Sequence, residues 1–214
     1  MNTIDHIVLA APDLEKAKEA FHAQTGVTPV DGGPHAGGGT RNALASFGNG
    51  AYLEIIAPDP AQPLAGTRGE RFARMPESQL LHWAIRVEDL NSVADRAIAA
   101  GLSPTPVTPM TRDQPDGTRL EWELMGISGH EHGGCVPFFI DWLKSPHPSD
   151  AAPYVGGLDT LRIELPEKSP SFRFLESRPQ GATLVEGMAK VTIAFESPRG
   201  QITWTARNPD GFGF

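Results

Sequence analysis

One stretch of this chain occurs twice. The segment IDHIVLAAPDL, residues 4–14, aligns without a gap with LLHWAIRVEDL, residues 80–90, at an offset of 76. His6 and His82 occupy the same position in the two copies. The repeat predicts that two parts of the chain fold into the same supersecondary unit.

Each copy begins with a pattern that is typical of a half-buried β-strand. Side chains alternate between the two faces of a strand, so His6 lies on the face opposite Ile7 and Leu9. In the second copy, His82 lies opposite the apolar side chain of Trp83. Both histidines are therefore expected to point away from the more apolar face.

A helix is predicted directly after each of these strands. Asp13 and Asp89 are suitable N-cap residues, and helix-forming sequence follows them as far as Gly26 and Gly101. We expect each helix to cover the apolar face of its strand. The histidine faces then remain free to line a cavity.

Further strands are predicted after each helix. RNALASFG and AYLEIIAP flank an Asn-Gly turn, which is a strong hairpin signal, and RLEWELMGI and VPFFIDWL follow in the second copy. Aligning YLEI with FIDW pairs Glu54 with Asp141, at an offset of 87 rather than 76. We therefore expect one module in residues 1–75 and a second in residues 76–150.

The paired acids and histidines suggest a metal site. A carboxylate within an apolar strand is costly unless something compensates its charge. His6, Glu54, His82 and Asp141 would compensate one another if all four bound one divalent cation. Zinc, nickel, manganese, cobalt and iron all accept imidazole and carboxylate ligands. The alternative is a salt bridge from Glu54 to Arg86, which would leave a metal-free pocket.

Several motifs resemble the glyoxalase-like domain proteins of the vicinal oxygen chelate superfamily. They are IDHIVLAAPDL, GGPHAGGGTRNALASFGNGAYLEIIAP, LHWAIRVEDL, RDQPDGTRLEW and VPFFIDW, in that order within about residues 3–146. The resemblance implies an α+β fold of tandem βαβββ modules, which form a curled mixed half-barrel with helices outside. It also implies metal ligands on the first and last strand of each module, which here are His6, Glu54, His82 and Asp141. Asp141 departs from the pattern, since the family more often has Glu there.

The remaining predicted site residues border the substrate. The glycines of GGPHAGGGTRN can bring the backbone close to an anionic ligand, so we expect His35, Thr40 and Asn42 at the pocket; the alternative is a flexible solvent loop. The predicted substrate-binding set is completed by Tyr52, Arg86, Trp122 and Phe139. Arg112 and Arg119 stand near a predicted turn, where solvated side chains are expected rather than a carboxylate clamp.

The C-terminal part, residues 151–214, is predicted to form a partial third module packed on the sheet. LDTLRIELP, AKVTIAFESP and GQITWTAR alternate apolar and polar residues, and SPSFRFLESRPQG between them indicates a short helix. We expect a βαββ extension that caps the sheet or supplies the face of a homodimer. Phe212 and Phe214 in the tail are expected to be exposed unless they dock on a neighbour.

The composition of the chain argues against some classes of binding partner. The net charge is −8 and no cluster of Lys and Arg occurs, which argues against nucleic acid and against an anionic membrane surface. No apolar run approaches the roughly 18 residues of a membrane span, so a cytoplasmic location is expected. Cys135 is the single cysteine and is predicted to be a small buried residue.

These features predict a metal-dependent enzyme for a small molecule. A bound cation would chelate two neighbouring oxygens of a 2-oxo or 2-hydroxy compound and stabilise an enolate or oxyanion, with Glu54 as general base. The resemblance implies a lyase or isomerase. One alternative is an extradiol-type dioxygenase, since two histidines and one carboxylate form the iron facial triad. Another is metal-free small-molecule binding, as in bleomycin-resistance proteins, within aromatic walls.

Overall fold

The computed structural model describes residues 2–113, 117–207 and 209–212. The elements in chain order are β1 (Thr3–Ala10), α1 (Leu14–Thr25), β2 (Val30–His35), β3 (Thr40–Gly48), β4 (Ala51–Pro58), α2 (Arg68–Ala73), β5 (Gln79–Arg86), α3 (Leu90–Ala99), β6 (Ser103–Pro104), β7 (Thr108–Asp113), β8 (Arg119–Met125), β9 (Ile127–Ser128), β10 (Phe138–Asp141), β11 (Leu158–Leu165), α4 (Pro170–Leu175), β12 (Ala182–Glu186), β13 (Lys190–Phe195) and β14 (Ile202–Arg207). Short 3₁₀ helices lie at Gly133–Cys135 and Pro148–Asp150.

The two modules form one mixed eight-stranded sheet. Its strand order is β2-β3-β4-β1-β5-β10-β8-β7, so the two repeat strands β1 and β5 pair at the centre and each module extends outward from there. Within the modules, β1 is parallel to β4 and β5 is parallel to β10. The edge strands β2 and β7 contact each other because the sheet curls. The predicted half-barrel of tandem modules is confirmed.

The two faces of the curled sheet carry separate apolar clusters. The outer face buries Ile7, Leu9 and Trp83 against α1, α3 and the C-terminal part. The concave face buries Val8, Tyr52, Ile56 and other residues in a second cluster. Alternation along β1 and β5 therefore assigns the faces correctly, with both histidines on the concave side.

The predicted helix caps are present. Asp13 Oδ1 accepts a hydrogen bond from the Lys16 backbone N at 3.1 Å, and Asp89 Oδ1 accepts one from Ser92 N at 3.1 Å. Gly26 ends α1 with a φ of 82°, a left-handed conformation that favours glycine. These caps fix where each helix begins to cross the outer face.

The C-terminal part forms its own four-stranded sheet, in the order β12-β11-β13-β14. It contains one strand more than the predicted βαββ pattern, because Ala182–Glu186 forms β12 parallel to β11. That short segment is only half-buried, so its alternation is weak. Phe195 from this sheet packs against Phe21 and Phe47, which joins the extension to the outer core.

The tail turns back onto the molecule. Phe212, expected to be exposed, instead packs against His82 and Phe138 with ring centroids 5.3 Å away in each case. Phe214 lies outside the described residues. Cys135 is fully buried as predicted, and burial raises the pKa of its thiol to about 12. Within the described ranges, every helix is too short or too polar to cross a lipid bilayer.

Candidate active site

A buried carboxylate holds the first repeat histidine. The pairing of β1 with β5 shifts its register between Ile4 and His6, and Asp5 lies at this irregularity. Asp5 Oδ1 is 2.6 Å from His6 Nδ1, and Asp5 Oδ2 accepts hydrogen bonds from Trp142 Nε1 at 3.0 Å and His147 Nε2 at 2.9 Å. The register shift thus brings two consecutive side chains together that strict alternation would separate.

The charge of Asp5 fixes the orientation of the His6 ring. Burial raises the pKa of Asp5, but hydrogen bonds from His147 and His6 outweigh that effect and lower the pKa to about 2. Asp5 is therefore ionised and accepts hydrogen bonds only, so His6 carries a proton on Nδ1. The other nitrogen, Nε2, faces Glu54 Oε2 at 3.8 Å.

Glu54 is the second buried acid of the first module. It is 7% exposed on β4, and its Oε1 accepts a hydrogen bond from Asn42 Nδ2 at 2.5 Å. His35 Nε2 lies 3.5 Å from the same oxygen. Burial raises the pKa of Glu54, but His35, His6, Asn42 and Arg112 together lower it below its ordinary value. Glu54 is thus a carboxylate at neutral pH, able to accept a proton.

The glycine-rich stretch ends beside Glu54. His35 Nδ1 is 3.0 Å from Thr40 Oγ1, and Asn42 Nδ2 is 3.3 Å from His35 Nε2. Burial lowers the pKa of His35 to about 4, so its ring is neutral. Of the three residues predicted at the pocket from this stretch, His35 lines the cavity, while Thr40 and Asn42 hold His35 and Glu54 in place.

Some of these glycines serve packing rather than ligand contact. A Cβ on Gly69 in α2 would lie 1.9 Å from the Gly39 carbonyl oxygen, so helix and loop touch through their backbones. Gly69 N donates to Gly38 O at 3.2 Å. This close contact brings α2 against the sheet, and α2 supplies Arg68 to the cavity.

Closure of the half-barrel adds Arg112 to the site. Arg112 lies on the edge strand β7, is 5% exposed, and donates from Nη1 to Asn42 Oδ1 at 3.2 Å across the closing edges of the sheet. Its guanidinium carbon is 5.9 Å from the centroid of the Trp122 ring. The expectation that Arg112 is solvated is wrong, because the curl of the sheet buries a strand that looks exposed in sequence.

These groups surround a small cavity on the concave face. Its volume is about 50 Å³, enough for a small ligand or a few waters. The residues that line it are His6, His35, Tyr52, Glu54, Ile56, Arg68, Met110, Arg112, Trp122, Leu124, Phe138, Ile140, Trp142 and Phe212. The wall is largely aromatic and aliphatic, with the polar groups concentrated on one side.

The second module places a phenylalanine where the first has Glu54. Glu54 is opposite Val8 in the β1–β4 ladder, and Phe138 is opposite Ala84, the repeat counterpart of Val8, in the β5–β10 ladder. The alignment of Glu54 with Asp141 is therefore wrong in register. Phe138 has its ring centroid 5.3 Å from that of His6 and 5.1 Å from that of His82.

Asp141 lies outside the lining of the cavity. Ile140, its neighbour on β10, lines the cavity, so Asp141 projects to the other face of the strand. Its Oδ1 accepts a hydrogen bond from Leu143 N at 2.8 Å, which stabilises the turn after β10. Phe139 shares that outer face and packs against Phe174 of α4 rather than against the cavity.

His82 has different surroundings from His6. Its Nε2 is 2.7 Å from the Val136 carbonyl oxygen, and Leu81 precedes it where Asp5 precedes His6. Burial lowers the pKa of His82 to about 3, so its ring is neutral and Nε2 donates to Val136. His82 lies outside the residues that line the cavity.

The four predicted metal ligands therefore do not lie together. His6 and Glu54 face one another, His82 is hydrogen-bonded to a carbonyl, and Asp141 is on the opposite face of β10. In the part of the chain that the structure describes, no three His, Cys, Asp or Glu side chains are grouped to hold a metal ion. As the structure places them, these four described side chains do not fit a four-ligand centre.

The other residues predicted to contact the substrate also lie in different places. Tyr52 stacks on His6 with centroids 4.7 Å apart, and Trp122 forms part of the cavity wall. Arg86 is outside the cavity lining, and its guanidinium lies beside Gly50 at the β3–β4 turn. Among described residues, the imidazole nitrogens of His6 and His35 lie 3.8 and 3.5 Å from the carboxylate of Glu54, which forms no ion pair with Arg86.

Sequence reasoning missed Asp5 and Arg68, expected Arg112 to be solvated, and identified His147 only as a candidate residue at the rim of the pocket. Asp5 could have been identified from its position next to the repeat histidine His6, but strict strand alternation places consecutive side chains on opposite faces and so argues against a contact between them. The other three reach the site only through the tertiary closure of the barrel and of α2.

Comparisons with known proteins give the family context. A family model described as a glyoxalase-like domain matches residues 4–177. A solved structure of a hypothetical protein from Staphylococcus aureus has a TM-score of 0.64 and 14% identity, covering 97% of this chain and 86% of that one. Methylmalonyl-CoA epimerase from Mycobacterium tuberculosis has a TM-score of 0.44 and 23% identity, covering 69% of this chain and 91% of that one. A search of curated proteins gives no match.

Proposed function

Because the chain belongs to the glyoxalase-like domain family of the vicinal oxygen chelate superfamily, we propose that it is an enzyme that moves a proton on a small organic substrate. The reaction is of the isomerase or lyase type and acts on a 2-oxo or 2-hydroxy compound. The observation that carries the proposal is the buried row Asp5–His6–Glu54 facing a small cavity. An ionised carboxylate and an oriented imidazole are the groups that general acid–base catalysis needs.

Glu54 is the general base in this proposal. It takes a proton from the carbon next to the substrate carbonyl, and the electrons of the broken C–H bond move onto the carbonyl oxygen. Asn42 holds the carboxylate for this step through its 2.5 Å hydrogen bond. Arg112 and Arg68 stabilise the negative charge that develops on oxygen, in a site whose apolar walls strengthen electrostatic interactions.

His6 is the second proton carrier. Its Nδ1 proton is held by Asp5, so Nε2 is the nitrogen that can accept a proton and return it to the substrate. The pairing of an imidazole with a buried carboxylate also stabilises the imidazolium that forms. Two proton carriers 3.8 Å apart permit removal and return at different atoms, which an isomerase requires.

The metal-dependent form of this function has less support from the site. His82 and Asp141 lie away from Glu54, and the Phe138 ring contacts the two repeat histidines where the first module has a carboxylate. We therefore derive the chemistry from side chains alone. Elemental analysis after exposure to zinc, nickel, manganese, cobalt and iron should show less than equimolar metal, with equal amounts in a H6A/H82A double variant. Equimolar metal that the double variant lacks would restore the four-ligand proposal.

Proton exchange with solvent tests the proposed chemistry without knowledge of the product. The protein is incubated in D₂O with 2-oxo and 2-hydroxy acids, ketones and thioesters, and NMR follows the loss of the proton next to the carbonyl. We expect catalysed exchange for at least one compound, slowed by about 10²–10⁴-fold in E54Q, since Gln keeps the Asn42 contact but accepts no proton. E121Q removes an exposed carboxylate and should exchange at the parent rate. Exchange by E54Q at the parent rate, or none by the folded parent protein, would contradict the proposal.

A second candidate function is the binding of a small molecule without catalysis. The cavity wall includes Tyr52, Trp122, Phe138, Trp142 and Phe212, and such aromatic surfaces suit planar ligands. This candidate predicts tight ligand binding with no proton exchange in any substrate.

A further inference from the structure

Arg112 is a buried cation that forms no ion pair among the described residues. It is 5% exposed, and its hydrogen bond goes to the neutral amide oxygen of Asn42. Its Nε atom is buried and has no hydrogen-bond partner among the described residues. An arginine stays protonated in proteins, and a buried charge without a partner is costly. Glu54 is near enough for Arg112 to lower its pKa, but its carboxylate is hydrogen-bonded to Asn42, so the guanidinium retains donors for a further anion.

A second arginine lines the same cavity. The guanidinium carbon of Arg68, on α2, is 5.0 Å from the centroid of the Phe212 ring. None of the ion pairs within the described ranges includes Arg68 or Arg112. The carboxylate of Glu54 is held by Asn42 and faces His6 and His35.

We propose that the cavity binds a small carboxylate, with the guanidinium of Arg112 as its main contact and Arg68 as a second positive charge. Two cations and one carboxylate line the cavity, so an anionic ligand neutralises the excess. The inference rests on the proposed function in one respect, since it names the substrate class of the same site.

A carboxylate fits this environment better than a phosphate. The planar guanidinium of Arg112 lines the cavity and can form paired hydrogen bonds with a planar carboxylate. The space is small and mostly apolar, which favours a group of single charge attached to a short carbon chain. Asn42 joins Arg112 to Glu54, so an acid bound by Arg112 has its short carbon chain in the same cavity as the proposed base.

Matched acids and amides test the proposal. Acetate, propionate, pyruvate and lactate are titrated into the protein by calorimetry, alongside acetamide, propionamide, pyruvamide and lactamide, with inorganic phosphate as a further anion. We expect at least one acid to bind at least tenfold more tightly than its amide and than phosphate. R112M should lose at least tenfold in that affinity, and R112K should lose less, because it keeps the charge without the planar fork. R119M alters an exposed arginine of β8 and should bind like the parent protein.

Several outcomes would overturn the carboxylate site. They are equal affinity for acid and amide, tighter binding of phosphate than of every acid, parent-like affinity in R112M, and no binding of any acid by the folded protein. Circular dichroism of each variant shows whether it is folded. If R112M does not fold, R112K against R119M gives the same comparison, and equal affinity in these two variants also overturns the proposal.

E54Q separates this inference from the proposed function. The carboxylate site predicts that E54Q binds the acid at least as tightly as the parent protein, because a negative charge beside the ligand is removed. Acid binding without proton exchange in the parent protein would keep the carboxylate site and overturn the enzyme. Exchange only in neutral ketones would keep the enzyme and overturn the carboxylate site.

Discussion

The two repeat histidines differ in the charge around them. His6 lies between the ionised carboxylates of Asp5 and Glu54, whereas His82 contacts the Val136 carbonyl and two phenylalanine rings. In the proposed function, His6 is therefore the histidine that exchanges protons with a ligand, whereas the surroundings of His82 keep its ring neutral. The reactive side chains of the repeat are concentrated in the first module.

The neutral state of His82 should make stability depend on pH. Its pKa is about 3 in the folded protein and 6.5 when exposed, so on acidification the unfolded chain gains a proton first. Stability is full above pH 6.5 and falls as the pH drops towards 3, with a loss of about 2 kcal/mol at pH 5 from this group. We expect H82Q, which keeps a donor for Val136, to lose about 2 kcal/mol less than the parent protein between pH 7 and pH 5.

Urea unfolding at the two pH values measures this difference. H22Q changes an exposed histidine of α1 and serves as the control, with the same pH dependence as the parent protein. An H82Q profile that coincides with the parent profile would show that His82 does not remain neutral in the folded state.

At the scale of elements, the register of β10 determines which of its side chains line the cavity. Phe138 lines it, and Phe139 points outward against α4. We expect F139A to lower the free energy of unfolding by about 3–5 kcal/mol without changing carboxylate affinity, because it creates a hole in the outer core. F138A should change ligand affinity, because it enlarges the cavity.

Calorimetric titration and urea unfolding of the two variants check this assignment. If F139A altered ligand affinity as strongly as F138A and left stability unchanged, the register of β10 would be opposite to the one described.

The sequence predicts elements better than it predicts their register. Alternation in β1, β4 and β5 identifies the concave faces, since these strands are long and their apolar sides are clear. It fails at Asp5, where an irregularity in the ladder breaks the alternation, and at β10. Both faces of Phe138–Asp141 are largely apolar, and the loop before it differs in length from its counterpart, so local pattern does not fix the alignment. Arg112 depends on closure of the whole sheet, which no local pattern encodes.

At the scale of the whole molecule, the C-terminal sheet completes the outer core. Phe195 of β13 is fully buried and contacts Phe21 of α1, Phe47 of β3 and Trp204 of β14. We propose that the two modules and the extension unfold together as one unit. F195A should then lower the free energy of unfolding by about 3–5 kcal/mol for the whole chain.

Two spectroscopic probes of urea unfolding test whether the modules and the extension unfold together. Far-UV circular dichroism and tryptophan fluorescence should give the same midpoint in the parent protein, and F195A should shift both together. M188A changes a residue that is 76% exposed and should leave the midpoint unchanged. Separate transitions, with only one shifted by F195A, would show that the extension folds independently.

The buried guanidinium of Arg112, whose Nε has no hydrogen-bond partner among the described residues, affects how this protein would respond to selection for heat resistance. Buried charges are often replaced by apolar residues of similar volume with a gain in stability, and active sites commonly carry such costs. A library selected only for survival at high temperature should therefore accumulate uncharged residues at position 112. Such variants would keep the curled sheet and lose the proposed anion site, so selection for heat resistance and selection for activity would favour different residues at position 112.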